Sequence, residues 1–150
     1  MQTEQWLTEA NRLFTGPRPE HFTNYQHCEE CAEHDQTLRD HDLHSLTMEQ
    51  LGNPGWDPVC FCTVEAKLYL MPALVRLTLE TIEGEAYIDQ FLFHLAWDGE
   101  DNELVKHCSS EQREFICRLL SFLLENYTEQ VDQGFCGDEL LSVYEIWQPD

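Results

Sequence analysis

The chain has 150 residues, of which 42% are hydrophobic and 11% aromatic. This is enough apolar material for one globular domain, and it argues against disorder. The chain carries 8 Lys and Arg against 29 Asp and Glu, a formal net charge of −21. Because this charge repels phosphate groups and anionic lipid, it argues against nucleic acid and membrane surfaces as direct partners, whereas basic proteins and cations remain allowed.

Two further features bear on the cellular compartment. No window approaches the run of about 18 apolar residues that a membrane-spanning helix needs, and residues 1–5 lack the basic start and apolar run of a signal peptide. We therefore expect a cytoplasmic protein. The odd number of cysteines, seven, favours free thiols or metal ligands over a disulfide framework in a reducing compartment.

The first predicted helix is short and amphipathic, and Gly16 and Pro17 end it. Its apolar residues recur at helical spacing: Trp6, Ala10, Leu13 and Phe14. The stretch from about 20 to 44 is strongly polar and cannot bury much surface by itself. It contains Cys28, Cys31 and five of the seven histidines: His21, His27, His34, His41 and His44.

A turn-rich corner follows the polar stretch. Thr47 and Gln50 have the form of a capping box and predict a short helix at 48–51. The sequence GNPGWDP at 52–58 predicts a rigid corner. The sequence VCFC at 59–62 is short, apolar and β-prone, so it predicts one extended segment near 59–62.

The central helix is predicted to begin after Thr63, which is a suitable N-cap residue. Its apolar residues lie on two faces: Val64, Leu68, Leu70, Met71, Leu74, Val75, Leu77, Leu79 and Ile82. Pro72 lies inside it and removes the hydrogen bond to the carbonyl of Leu68. We expect a kink or a break into two helices at this point.

Three more helices are predicted in the second half of the chain. The first is an amphipathic helix from Ile88 to Leu95, followed by a solvated loop at 98–102. The second begins at the capping box of Ser109 and Gln112 and carries apolar residues as far as Tyr127; glycines at 134–137 end it, and a short helix at about 140–147 closes the chain. The predicted fold is all-α or nearly all-α, a single compact multi-helix domain spanning residues 1–150.

The sharpest chemical signal is the sequence HCEECAEHD at 27–35. Thiolate and imidazole are the ligands that zinc prefers, and a two-residue gap between cysteines is common at tetrahedral sites. If 27–41 is helical, His27 and Cys28 lie about 100° apart and would not easily hold one ion. The predicted ligands are Cys28, Cys31 and His34. The candidates for a fourth ligand are His27, His41, His44, Cys60 and Cys62.

Other interpretations of these thiols remain open. Only half of a paired C-x-x-C zinc motif is present, so Cys28 and Cys31 could instead be partly buried thiols beside solvated histidines. A redox role is disfavoured, because no strand precedes the motif and the glutamates at 29, 30 and 33 would raise the thiol pKa.

The remaining cysteines and histidines carry weaker signals. No spacing pairs Cys60 or Cys62 with a particular histidine for nucleophilic catalysis, and both are interpreted as small core residues. His94 and His107 are interpreted as helix-surface or capping residues. No phosphate-binding glycine loop and no hydrolase motif occurs.

Several sequence blocks resemble a family of small uncharacterised bacterial proteins. They are PEHFT at 19–23, HCEECAEHD at 27–35, LGNPGWDP at 51–58, YLMPAL at 69–74 and, more loosely, QFLFHL at 90–95 and SEQR at 110–113. The closest resemblance covers about residues 10 to 80. It implies a bacterial cytoplasmic domain in which the H-C-x-x-C-x-x-H block belongs to the common pattern, and it implies no catalytic residue.

Two functions of different classes follow. The first is a non-enzymatic protein-interaction module with a structural zinc site, whose charge of −21 steers it towards a basic protein partner. The alternative is a metal-dependent hydrolase in which the Cys/His cluster holds zinc with an open position and one of the glutamates at 29, 30 or 33 serves as base.

Overall fold

The computed structural model describes residues 2–134 and 136–150, and it confirms the all-α class. The α-helices are α1 (Thr3–Leu13), α2 (Glu29–Arg39), α3 (Met48–Leu51), α4 (Val64–Thr81), α5 (Ile88–Ala96), α6 (Glu103–His107), α7 (Ser110–Asn126), α8 (Thr128–Gln133) and α9 (Gly137–Trp147). The predicted break at 134–137 includes Phe135, which lies outside the described residues.

Five helices form a closed circuit around the core. Helix α4 packs against α1 and α5, α5 packs against α9, α9 against α7, and α7 against α1. Most of α4 is buried, as its two apolar faces predict. The indole of Trp147 is fully buried and donates a hydrogen bond to the Leu95 carbonyl at 2.9 Å, which ties the last helix to α5.

The predicted helix starts are confirmed by their capping hydrogen bonds. The Thr63 hydroxyl accepts from the Ala66 amide at 3.2 Å. The Ser109 hydroxyl accepts a hydrogen bond from the backbone amide of Gln112 at 3.1 Å. The side-chain oxygen of Gln112 accepts one from the backbone amide of Ser109 at 2.8 Å. Each cap satisfies amides that the first turn of a helix leaves without intrahelical partners.

Of the kink or break predicted at Pro72, the break into two helices is wrong, because α4 runs as one helix on both sides of it. A proline in a helix interior costs about 3 kcal/mol. Pro72 is itself buried, with Leu70, Met71, Ala73 and Leu74 buried around it. Burial of large apolar side chains contributes about 1.5–3 kcal/mol each, so packing outweighs the lost hydrogen bond.

The predicted extended segment near 59–62 is also largely wrong. Residues Pro58–Phe61 form a 3₁₀ turn, because the Asp57 carboxylate accepts a hydrogen bond from the Val59 amide and Pro58 suits the first position of a helical turn. Only Cys62 is extended. It forms an isolated antiparallel bridge with Thr23.

The polar stretch from 20 to 44 is held to the fold by a buried carboxylate. Asp35, on α2, accepts hydrogen bonds from the amides of Phe22 at 2.6 Å and Thr23 at 3.1 Å, and it pairs with the His21 ring at 2.8 Å. Burial alone would raise the pKa of Asp35, but the His21 ring and the two amides hold it below its ordinary value.

Two further side chains, Thr23 and Arg18, attach α2 to the segment that precedes it. The Thr23 hydroxyl donates to the Cys31 carbonyl at 2.7 Å. The Arg18 guanidinium donates to the carbonyls of Leu38, Arg39 and His41, which lie at and beyond the carboxyl end of α2. The stretch is therefore positioned by hydrogen bonds to buried or terminal groups of α2.

Among the described residues, no helix combines the length and the apolar character that crossing a membrane would require.

Replacement of Asp35 by alanine tests the importance of this anchor. Asp35→Ala leaves two amides and one imidazole without their partner, so we expect the free energy of unfolding to fall by about 2–4 kcal/mol. Chemical denaturation measures this value. Glu33→Ala, an exposed residue of the same helix, is the matched control and should change stability by less than about 0.5 kcal/mol. Equal losses in the two variants would contradict the anchoring role.

Candidate functional site

The first candidate site lies at the amino end of α2. Cys28 precedes the helix with extended backbone angles, φ −163° and ψ 172°, and its sulfur accepts a hydrogen bond from the Cys31 amide at 3.4 Å. The helix thus begins at Glu29 rather than at His27. Because His27 and Cys28 are outside the helix, the angular separation expected of adjacent helical residues does not apply to them.

Three donor atoms converge at this point. The ligand atoms of His27, Cys28 and Cys31 all lie within 4.8 Å of one another. The two sulfurs are 3.4 Å apart, and the Cys31 sulfur is 3.7 Å from Nδ1 of His27. In a tetrahedral zinc site the bond lengths imply about 3.8 Å between two sulfurs and about 3.6 Å between sulfur and nitrogen. The observed spacings are close to those that one zinc ion would impose.

The two thiols of this site have opposite electrostatic environments. The hydrogen bond from the Cys31 amide, together with the His27 ring and the Cys31 thiol, lowers the pKa of the exposed Cys28 thiol to about 7. The contact with Cys28, followed by burial, raises the pKa of Cys31. The expectation that the neighbouring glutamates raise the thiol pKa is wrong for Cys28, whose pKa is lowered by donors at the helix start, whereas the charge of Glu30 does help to raise the pKa of Cys31.

His34 is placed away from the two sulfurs. Its ring is fully buried between Trp56 and Phe61, with centroid separations of 4.4 and 4.5 Å. Neither ring nitrogen has a hydrogen-bond partner among the described residues. The nearest carboxylate oxygen, on the exposed Glu30, is 3.9 Å from Nε2. Burial lowers the pKa of His34, although the charges of Glu30 and Asp57 oppose the shift.

The other predicted ligands are also outside the converging group. Nδ1 of His41 donates to the Thr37 carbonyl at 2.8 Å, at the far end of α2. His44 lies in the 3₁₀ turn Leu43–Ser45. The structure thus brings together three of the predicted ligands, His27, Cys28 and Cys31, whereas His34 and His41 lie outside this group.

A second group of possible ligands comprises Asp57, Cys60 and His94, whose donor atoms also lie within 4.8 Å of one another. The interpretation of His94 as a helix-surface or capping residue is wrong, because the residue is 4% exposed and Nε2 pairs with Oδ2 of Asp57 at 2.8 Å. Its position four residues after Gln90, which donates to the same carboxylate oxygen at 2.9 Å, places both on one helix face. This spacing places Gln90 beside His94, but no sequence signal indicates their contacts with the distant Asp57.

Cys60 differs from its neighbour Cys62. Cys60 is exposed and Cys62 is buried. Although Cys60 is exposed as a whole residue, partial desolvation of its thiol raises the pKa to about 11, and the charge of the Asp57 carboxylate adds to the shift. The core interpretation therefore holds for Cys62 alone.

Comparison of the chain with protein-family models, with curated proteins and with solved structures found no match. The resemblance to small bacterial proteins stays a prediction.

The buried imidazole of His34 predicts a specific acid sensitivity. Its pKa is lower in the folded protein than in the unfolded chain, so the stability it contributes is complete above about pH 6.5 and is lost as the pH falls below that value. When the pH is lowered from about 7.5 to 5.5, the free energy of unfolding falls in the parent protein. We expect this fall to be smaller in the His34→Phe variant, by about 1 kcal/mol. Chemical denaturation at both pH values measures it.

The control for this measurement is His107→Gln, which changes an exposed histidine and should retain the pH dependence of the parent. If His34→Phe and the parent lose equal stability on acidification, His34 is not the group responsible.

Proposed function

We propose that this protein binds a soft divalent cation, zinc in the first place, through His27, Cys28 and Cys31, and that it acts as a non-enzymatic protein-interaction module. The observation that carries the proposal is the convergence of two sulfurs and one imidazole nitrogen at spacings close to those of a tetrahedral zinc site. A reducing compartment such as the bacterial cytoplasm would keep both thiols available for the ion.

The number of ligands bears on the role of the metal. A closed structural zinc site uses four protein ligands, and the converging group supplies three. The polar stretch around it already has the Asp35 and Arg18 contacts to position it. We therefore infer that the ion is bound at the protein surface and contributes little to stability. A water molecule or a partner's side chain fills its fourth coordination position.

Charge supports a basic partner. The net charge is −21, and Glu29, Glu30 and Glu33 are exposed beside the proposed metal. Several of the few cations are already engaged, such as Lys67 with Glu103 and Arg76 with Glu80. The field of the protein therefore attracts cationic surfaces and makes the association sensitive to salt.

The metal proposal is tested by titration with cobalt(II), a spectroscopic substitute for zinc, in a Cys60→Ser background that leaves only the site on α2. We expect one equivalent bound, with a thiolate-to-metal charge-transfer band contributed by two sulfurs. Cys28→Ser should halve the band and weaken binding by about 100-fold or more. Cys108→Ser, which changes a half-buried cysteine elsewhere, is the control. Absence of a charge-transfer band in the Cys60→Ser protein would overturn the proposal.

A second candidate function is a dithiol–disulfide couple at the same cysteines. The favouring observation is the asymmetry of the pair: Cys28 is exposed with a pKa of about 7, and Cys31 is buried 3.4 Å away with a raised pKa. A low-pKa exposed thiol followed by a buried resolving thiol suits exchange with a substrate disulfide. Metal and disulfide exclude each other, because both use the same two sulfurs.

Incubation of metal-free protein with oxidised glutathione tests this candidate. The Cys28 thiolate attacks the disulfide and releases one glutathione thiolate; Cys31 then loses its proton and displaces the second, leaving a Cys28–Cys31 disulfide. Mass spectrometry should show the loss of two hydrogen atoms in the parent, a stable mixed disulfide in Cys31→Ser, and no adduct at this site in Cys28→Ser. A Cys31→Ser protein that forms no mixed disulfide at Cys28 would exclude the couple.

A further inference from the structure

The second ligand group is assembled by two separate parts of the chain. The corner at 56–60 contributes Asp57 and Cys60, and the last turn of α5 contributes His94. The carboxylate of Asp57 fixes both parts: Oδ1 accepts from the Val59 amide, and Oδ2 accepts from Gln90 and pairs with His94. The three donor atoms are therefore held near one another by groups that are themselves buried and hydrogen-bonded.

The contact between Asp57 and His94 brings two of the three donor atoms together. When both bind one ion, the metal takes the place of the proton that they share and the ring carries its proton on Nδ1, so the carboxylate acts as a ligand. Here Nε2 of His94 and Oδ2 of Asp57 are 2.8 Å apart. A carboxylate has about four lone-pair sites, so the three contacts of Asp57 leave capacity for one more.

A buried polar group next to this cluster lacks a partner. The hydroxyl of Tyr87, a residue with no exposed surface, makes no hydrogen bond to any described residue. Burial raises the pKa of Tyr87, and the charges of Asp57, Cys60 and Cys62 raise it further. Unsatisfied buried polar groups are rare, and an ion or a ligand in their vicinity is one of the recognised explanations.

A small pocket opens beside the same residues. It has a volume of about 220 Å³ and is lined by Cys60, Lys67, Phe93, His94 and Trp97. The rings of Phe93 and Trp97 are 5.4 Å apart and are 43% and 62% exposed. Metal sites that exchange ligands combine about three protein ligands with an open position next to a cavity. The group at Asp57, Cys60 and His94 has both features, whereas the site on α2 lies at an exposed helix start.

We propose that Asp57, Cys60 and His94 form a second metal centre for a soft divalent cation, with an open coordination position that faces the pocket and takes a small exchangeable ligand. Coordination replaces the proton of the Cys60 thiol, which leaves to solvent as the metal–sulfur bond forms. The negative charge of the Asp57 carboxylate favours a cation over a neutral guest. The proposal is independent of the site on α2, with which it shares no ligand.

The experiment is a cobalt(II) titration of the His27→Gln, Cys28→Ser variant. Both substitutions are at exposed positions, and serine is a good N-cap residue, so the fold is retained while the first site is removed. We expect one equivalent of cobalt with a charge-transfer band from a single thiolate. Further substitution Cys60→Ser should abolish the band and weaken binding by about 100-fold. Cys108→Ser is the matched control and should change neither.

Two additional measurements separate the possible outcomes. Azide, a small anion, should shift the visible d–d bands of the cobalt protein if the open position faces the pocket. His94→Gln, checked by circular dichroism for a retained fold, should weaken cobalt binding by about 10- to 100-fold. The proposal is overturned if the His27→Gln, Cys28→Ser variant binds no cobalt, or if Cys60→Ser leaves the binding intact. Bands that azide does not shift would show that no open coordination position faces the pocket.

Discussion

The placement of the candidate site depends on one interaction, the acceptance of two backbone amides and one imidazole by the buried carboxylate of Asp35. The surrounding stretch is mostly polar, and Phe22 and Leu38 are its fully buried apolar side chains, so the Asp35 hydrogen bonds add to the little apolar burial that it has. With Asp35 on α2 and its partners on the preceding segment, the first turn of α2 is held against Thr23, and Cys28 and Cys31 occupy fixed positions before and within that turn. A buried carboxylate is stable there because its charge is met by three donors.

The same chemistry recurs at Asp57. Each carboxylate is buried, accepts at least one backbone amide and pairs with a histidine, His21 in one case and His94 in the other. Each also lies near a group of thiols and imidazoles. At Asp35 the group is on the surface at a helix start, and at Asp57 it borders a pocket. The two groups therefore suit different roles, a surface-bound ion for recognition and an ion accessible to a small ligand.

The helical framework was accessible from the sequence because its signals are local. Apolar periodicity predicted most of the longer helices, and the caps at Thr47, Thr63 and Ser109 predicted the first residues of α3, α4 and α7. The short helices α6 and α8 were not predicted. The continuity of α4 through Pro72 was not predictable from local rules, because burial on both sides decides it. The chemistry of the thiols was only partly predictable: His27, Cys28 and Cys31 are neighbours in sequence, but the burial of His34 and the pairing of Asp57 with His94 arise from contacts between distant segments.

The proposal that His27, Cys28 and Cys31 hold one zinc ion can be checked in crystals of the zinc-loaded protein, measured at wavelengths on both sides of the zinc absorption edge. An anomalous peak is expected about 2.3 Å from each of the two sulfurs, with Nδ1 of His27 also within bonding distance. Sulfur atoms without zinc between them, in crystals where anomalous peaks occur only on surface carboxylates, would contradict it.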